Sequence, residues 1–245
     1  MRKFFVDRQN IKGEFVYIEG EDFHHLVNVL RLKRGNEIVA SDGLKEYAAR
    51  IEEIKKDKLI LFLERELESN TESALEISLF QGLPKSDKME LIIQKCAEIG
   101  VKKFIPVVTR YTVVDITKSN INKKIARWRK ISEEACKQSG RTGVPEICMP
   151  ISFEEAINQV DKFDLCIIPY EKEQTSKLKE VLEKAKGVKK IGIFIGPEGG
   201  FSQEEIELAL NKSIKPVSLG PRILRTETAA IAVCSIVMYE LGDMG

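Results

Sequence analysis

The residues best suited to chemistry lie in two loops near the C-terminal end of the chain. Gly196-Pro197-Glu198-Gly199-Gly200 follows an apolar run. Leu219-Gly220-Pro221-Arg222-Ile223-Leu224-Arg225-Thr226-Glu227-Thr228-Ala229 follows a second, shorter one. Glycine leaves main-chain N–H and C=O groups open to a ligand. Loops at the carboxyl ends of strands form the rim of an open α/β sheet, where ligands of such folds bind. The first loop alone is equally compatible with an ordinary strand-to-helix turn. The second is not, because two arginines and a glutamate between an apolar strand and an apolar helix are costly without partners or a ligand.

Several chemistries are absent from the motifs. There is no Gly-x-Gly-x-x-Gly, no Gly-x-x-x-x-Gly-Lys-Ser/Thr and no Gly-x-Ser-x-Gly, so dinucleotide, P-loop and hydrolase-elbow readings have no support. The five cysteines are widely spaced and the chain has only two histidines, which predicts reduced thiols and no metal site. The ligand at the two glycine loops is therefore expected to be held by backbone groups and apolar walls.

The elements that must position these loops fall into two groups. Residues 4–6, 15–18, 37–41, 47–54 and 59–63 are short β-rich runs separated by turn residues. Phe23, Leu26, Val27 and Leu30 have helical spacing within residues 21–32, so the N-terminal part reads as a small β-barrel with one helix. Residues 66–73 are polar and aperiodic, which places the first domain at 1–70 and the second at 74–245. From there, strands at 76–81, 103–108, 163–169, 190–195 and 216–219 alternate with helices at 86–99, 121–139, 153–160, 176–186, 203–211 and 226–240. That alternation predicts an α/β domain with a mostly parallel sheet covered on both faces. Ser202 and Glu205 make a capping box, and the last helix is apolar on nearly every face, so it must be buried under the sheet or against a second subunit.

Charge marks a second surface. Between residues 118 and 141 eight basic residues stand against two acidic ones in a chain of net charge +1. Lys123, Arg127, Lys130, Lys137 and Arg141 share one helical face, opposite Ile121, Ile125, Trp128, Ser132, Ala135 and Ser139. Together with Gln138, this face is suited to phosphate. Arg2, Lys3 and Arg8, then Arg31, Lys33 and Arg34, form smaller clusters on which any RNA role of the first domain rests. His24 and His25 read as packing or capping groups. Lys85, Ser86, Asp87, Lys88, Glu90, Gln94, Lys95 and Glu98 read as a charged helix face. The N-terminal apolar run stops after three residues, too short for a secretory signal, and no membrane span is expected, so the protein is expected in the cytoplasm.

Taken together these residues resemble the bacterial ribosomal RNA small subunit methyltransferase E family. The likeness runs end to end through His24-His25-Leu26-x-x-Val29-Leu30-Arg31, Lys88-Met89-Glu90-Leu91-Ile92-Ile93-Gln94-Lys95, Gln138-Ser139-x-Arg141, Gly196-Pro197-Glu198-Gly199-Gly200-Phe201 and the block from Leu219 to Ala229. The last block is the most specific; the Gly-Pro-Glu-Gly-Gly element is shared in outline by SPOUT methyltransferases generally.

The resemblance implies a PUA-like barrel followed by a SPOUT domain with a deep C-terminal trefoil knot, a homodimer, and S-adenosylmethionine as cofactor. It also implies methylation of uridine N3 in 16S RNA of the small ribosomal subunit. Cofactor contacts are then expected from Pro169, Tyr170, Glu171, Ile195, Gly196, Pro197, Gly199, Gly200, Leu219, Gly220, Ile223 and Leu224. Arg225 is expected to stabilise charge on the base, with Arg222 and Arg141 as alternates. Glu198 or Glu227 is expected to take the proton or orient the arginines. Two other readings compete: a SPOUT ribose 2'-O-methyltransferase, disfavoured by the Arg-Thr-Glu-Thr of the last block, and a non-catalytic ribosome assembly factor that binds RNA.

Overall fold

The computed structural model describes residues 3–69, 71–114 and 117–245, apart from the side chains of Lys118 and Ser119. The chain divides into two compact units. The first holds Met1–Glu72 and Cys136–Val144; the second holds Ser73–Ala135 and Pro145–Gly245.

The first unit contains β1 (Lys3–Phe5), β2 (Ile11–Lys12), β3 (Phe15–Glu19), α1 (Gly20–His24), β4 (Glu37–Ser41), β5 (Glu46–Ile54) and β6 (Lys58–Leu67). Its sheet runs in the order β1-β4-β5-β6-β3-β2, antiparallel except where β1 meets β4. Period-two alternation sends Val16, Ile18, Ile38, Ala40, Ile51, Leu59 and Leu61 into one core with Leu26. Ala48 and Ala49 are both buried because a register shift separates them on β5. After α1 the helix widens, with the Leu30 amide bonding to the carbonyl of His25, five residues back, at 2.9 Å.

Residues 136–144 belong to this unit through polar contacts, which hydrophobic patterning does not register. The Thr142 hydroxyl donates to Glu46 at 2.8 Å, and its carbonyl accepts from the Ser41 hydroxyl at 2.7 Å. Arg141, 4% exposed, makes a two-pronged pair with Glu72 at 3.1 and 2.8 Å.

The second unit contains β7 (Glu76–Gly82), α2 (Lys88–Ile99), β8 (Lys103–Val108), α3 (Lys118–Ser139), β9 (Glu146–Ile147), β10 (Ile151–Ser152), α4 (Phe153–Ile157), β11 (Leu165–Pro169), α5 (Leu178–Glu183), β12 (Lys190–Ile195), α6 (Gln203–Asn211), β13 (Lys215–Val217) and α7 (Thr226–Leu241). The end of α3 is counted with the first unit. The sheet runs β10-β8-β7-β12-β11-β13, with β9 also on β8, and every pairing is parallel. β7 and β12 are buried along nearly their whole length, as parallel strands covered on both faces must be. On one face Phe80 stacks on Phe194 with ring centroids 4.3 Å apart, beside Phe153, Ile168 and Ile206. On α7, Ala230, Val233, Cys234, Val237 and Met238 are buried, and the helix packs against α2. The short strands β9 and β10 escape the sequence reading because two residues carry no readable period.

The sheet order brings the carboxyl ends of β7, β12, β11 and β13 side by side, and a buried polar chain ties three elements together there. The Thr226 hydroxyl donates to the carbonyl of Gly196 at 2.6 Å and accepts from Gln81 Nε2 at 2.9 Å. Gln81 is fully buried at the end of β7, Gly196 directly follows β12, and Thr226 opens α7. Replacing Thr226 with valine keeps the shape and strips both bonds, leaving the buried Gly196 carbonyl only a long 3.5 Å contact from Gln81 Nε2, which keeps its bond to the Gly82 carbonyl at 2.9 Å. Thr226→Val is expected to lower unfolding free energy by about 1–3 kcal/mol, read from urea midpoints. An unchanged midpoint would show the chain to be energetically idle.

Candidate active site

A cavity of about 500 Å³ opens where these strand ends meet. Three segments wall it: Pro169, Tyr170 and Glu171 after β11; Ile195 through Phe201 after β12; and Ser218, Leu219, Gly220, Arg222, Ile223, Leu224, Arg225, Thr226 and Ala229 leading into α7. Lys88, from the start of α2, completes the lining.

Local backbone chemistry makes the glycine loop possible. The Gly200 amide closes a turn onto the carbonyl of Pro197 at 2.9 Å, and Gly200 itself sits at φ +69°. A Cβ on Gly196 would lie 2.9 Å from the backbone of Gly200, so the loop folds too tightly for any larger residue. The capping box then starts α6: the Glu205 amide bonds to the Ser202 hydroxyl at 3.2 Å, and the Ser202 amide to the Glu205 carboxylate at 2.8 Å. On the far side, the Ser218 amide bonds to the carbonyl of Ser176 at 2.7 Å and the Tyr170 amide to that of Val217 at 3.1 Å. These bonds hold the segment after β11 against the entry to the second loop.

All twelve residues expected to contact a cofactor line this cavity, as do Arg225, Arg222 and Glu198. Arg222 and Arg225 are exposed, and among the described residues neither guanidinium has a hydrogen bond or ion pair. Arg141 is placed differently: it belongs to the first unit, paired with Glu72, and is not among the residues lining the cavity. Glu227 lies on the first turn of α7 outside the lining; its Oε2 is buried, 3.8 Å from Lys88 Nζ and without a hydrogen bond.

Lys88 is the functional candidate missed in the sequence, where its segment reads as a charged helix face. It donates to Glu198 at 2.8 Å and faces Glu227, so one ammonium serves both carboxylates. A signal for it existed, since α2 follows β7 and its first residues sit at the same rim of the sheet. Burial pushes the Glu198 carboxyl up. The Lys88 hydrogen bond, its own amide and the Lys85 amide outweigh this and leave it below its ordinary 4.5. The bond to Glu198 likewise raises the Lys88 ammonium. Glu198 is thus anionic near neutral pH with its oxygens engaged.

The basic residues are dispersed. Lys123, Lys124 and Arg127 line a second hollow of about 290 Å³ in the second unit, with Trp128, Leu83, Pro84 and Met89 among its walls. Arg127 also pairs with Glu90 at 2.7 Å. The apolar face of α3 is buried as expected through Ile121, Ile125, Trp128, Ser132 and Ala135, while Ser139 at its end is exposed. Lys130 and Gln138 are exposed, and Lys137 lies over the Phe4 ring at 5.6 Å. In the first unit Lys3 is held by Glu46 and by the carbonyls of Gly140 and Arg141; Arg8 pairs with Asp42 at 3.3 Å and Arg34 with Glu52 at 3.3 Å. Arg31 adopts φ +52°, and Lys33 is exposed beside it. Arg2 lies outside the described residues. Among the described residues no group of three or more His, Cys, Asp or Glu could hold a metal, and no helix is long and apolar enough to cross a membrane.

Residues 71–238 match the family described as RNA methyltransferase domain, and residues 18–64 that described as RNA methyltransferase PUA domain. The chain is 33% identical to ribosomal RNA small subunit methyltransferase E of Bacillus subtilis, over 98% of this chain and 97% of the relative. A ribosomal RNA small subunit methyltransferase E from Neisseria gonorrhoeae, solved bound to S-adenosylmethionine, superposes with a TM-score of 0.89 at 30% identity, with 100% of both chains covered. A putative methyltransferase from Legionella pneumophila, solved in complex with the same cofactor, gives 0.88 at 34% identity over 99% of this chain and 98% of the other.

The electrostatics at Lys88 can be read directly. Glu198 is expected to titrate below 4.5 in the parent protein and to move upward in Lys88→Met, where burial loses its largest counterweight. Carbon-detected NMR of the glutamate carboxyls measures both. A Glu198 titration that ignores the substitution would break the assignment.

Proposed function

The chain belongs to the ribosomal RNA small subunit methyltransferase E family, and from that premise we propose that it transfers a methyl group from S-adenosylmethionine to N3 of a uridine in 16S RNA. The observation that carries the reading is the coincidence, in one cavity of about 500 Å³, of a glycine-lined rim and two unpaired arginines.

The cavity suits the cofactor in size and lining. Its volume is in the range of small-molecule sites. Pro169, Ile195, Leu219, Ile223 and Leu224 offer apolar walls to a nucleoside. The Gly196, Gly199, Gly200 and Gly220 backbone offers donors and acceptors, and Glu171 offers a carboxylate to hydroxyl or ammonium groups. Bound there, S-adenosylmethionine supplies an electrophilic methyl carbon that needs no metal to activate it.

The rest of the work falls to the chain. Uracil N3 carries a proton at neutral pH and becomes nucleophilic when that proton leaves, with the negative charge shared by O2 and O4. The Arg225 guanidinium, anchored where α7 begins, supplies fixed donors for that charge, and Arg222 supplies a second set. Glu198 is occupied in holding Lys88 and the Lys85 amide, so it orders the rim. Glu227 keeps a buried oxygen without a donor, outside the cavity lining and 3.8 Å from the Lys88 ammonium, where it helps to orient that group. Arg141 acts as a structural pair with Glu72, outside the chemistry.

Further features of the reading rest on the family. The segment from β13 crosses to α7, which packs back near β7 and β12, the path expected of a C-terminal trefoil knot. The outer side of α7 leaves Ile236 41% and Tyr239 61% exposed, an apolar face suited to a second copy in a homodimer. The PUA-like unit and the hollow at Lys123 and Lys124 would hold RNA phosphates, either on free 16S RNA or on the small subunit, in the cytoplasm where ribosomes work.

Two experiments test this. Arg225→Ala is expected to slow methyl transfer by about tenfold or more while cofactor binding, followed by calorimetry, stays intact. Mass spectrometry of the RNA product must show a base methyl; a ribose methyl would overturn the assignment. Lys123→Gln with Lys124→Gln is expected to flatten the salt dependence of RNA binding, with each lost phosphate contact reducing the log–log slope by about 0.7–0.9. An unchanged slope would return those lysines to the solvated surface.

A further inference from the structure

Beside the cavity stands an aromatic side chain that its lining does not include, packed on Gly199 of the glycine loop. The loop after β8 turns sharply at Thr109–Thr112: the Thr112 amide bonds to the Thr109 carbonyl at 3.1 Å, and the Thr112 hydroxyl accepts from the Thr109 amide at 2.9 Å. A third bond pins the turn to α6, with the Arg110 amide donating to Glu205 Oε1 at 2.9 Å. Glu205 is the same carboxylate that closes the capping box beside the glycine loop. The turn and the loop are therefore fixed to one another through a buried side chain that is 7% exposed.

At the tip of this pinned turn stands Tyr111, with 49% of its surface exposed. Its side chain lies directly on Gly199: a Cβ added there would come within 2.9 Å of Tyr111 Cβ, 3.2 Å of Cγ and 3.4 Å of Cδ2. Gly199 lines the cavity between Glu198 and Gly200. A large aromatic ring half in water is not serving the core, and a rigidly supported one carries little entropy cost on binding. Bases drawn out of RNA for chemistry are held by stacking on such rings.

We propose that Tyr111 stacks on the target base as it enters the cavity, and that Gly199 lacks a side chain so that this ring can close the rim. This rests on the methyltransferase reading above. It assigns Tyr111 a substrate-positioning role: the ring holds the plane of the base while Arg225 meets its oxygens. Stacking needs a planar π-face and no hydroxyl, so phenylalanine serves in its place.

The test uses the full chain and a 16S RNA fragment that it methylates, made with uridine or with 5,6-dihydrouridine at the target position. Dihydrouracil keeps N3–H, O2 and O4 but is puckered and loses aromatic stacking. Tyr111→Ala is expected to raise KM for the uridine RNA about fivefold or more while cofactor affinity holds, and Tyr111→Phe to restore it. Binding measured with S-adenosylhomocysteine present should discriminate against dihydrouridine in the parent and in Tyr111→Phe, and lose that discrimination in Tyr111→Ala. An unchanged KM in Tyr111→Ala, an equal loss in both variants, or discrimination surviving in Tyr111→Ala overturns the proposal. Failure of the underlying reading looks different: the parent protein would then methylate neither a fragment nor small ribosomal subunits.

Discussion

The Thr226 hydroxyl is the hinge pin of the second unit. It takes a hydrogen from Gln81 and gives one to Gly196, so a single oxygen joins the end of β7, the loop after β12 and the first residue of α7. Hydrogen bonds chained in this way polarise one another, and in a buried setting their loss leaves groups that water cannot reach. Without it, the start of an apolar helix would be tied to the glycine loop only through Lys88, which reaches both Glu198 and Glu227. The position of Arg225, the residue before Thr226, follows from that seating, as does the opening of the cavity between the two loops.

Charge at the rim is ordered by a similar economy. Lys88 stands between Glu198 and Glu227, so two carboxylates from two segments share one ammonium. Had the two carboxylates faced each other alone, one would have been driven towards protonation. With the lysine there, Glu198 stays anionic and bonds to the Lys85 amide, which fixes the loop after β7 to the loop after β12. The arginines stay outside this arrangement and remain available to a substrate.

Much of this was legible in the sequence, and the residues say why. Strands 103–108 and 190–195 and helix 203–211 have the predicted bounds, because a continuous apolar run and a capping box are local signals. The glycine loops are legible through backbone chemistry at strand ends, and the twelve residues that the resemblance picks out all line the cavity. Lys88 is not legible because its partners lie far along the chain, and a lysine at the start of an amphipathic helix looks like solvated surface. Residues 136–144 escape the reading for the same reason: hydrogen bonds from Thr142, Gly143 and Arg141 to Glu46 and Glu72, and from Ser41 to the Thr142 carbonyl, leave no periodic trace. Arg141 showed its chemistry but not its partner, so an arginine held by a glutamate was indistinguishable from one awaiting a substrate.

The contrast between the arginines bears on which base the site can accept. A guanidinium offers donors only and never loses its proton. In water Arg222 and Arg225 cost nothing left unpaired, but a base that covers them removes that water and must supply acceptors. Uracil does so twice over, since losing the N3 proton leaves an anion spread over O2 and O4. Cytosine has no proton at N3 to lose and presents an amino group where uracil has O4, so donor would face donor. Adenine and guanine lack the paired carbonyls that flank N3 in uracil. On the proposed reading, a rim built from two unpaired arginines and an already saturated Glu198 would discriminate by the charge a base can develop, which is a property of the reacting state and is not expressed in the resting substrate.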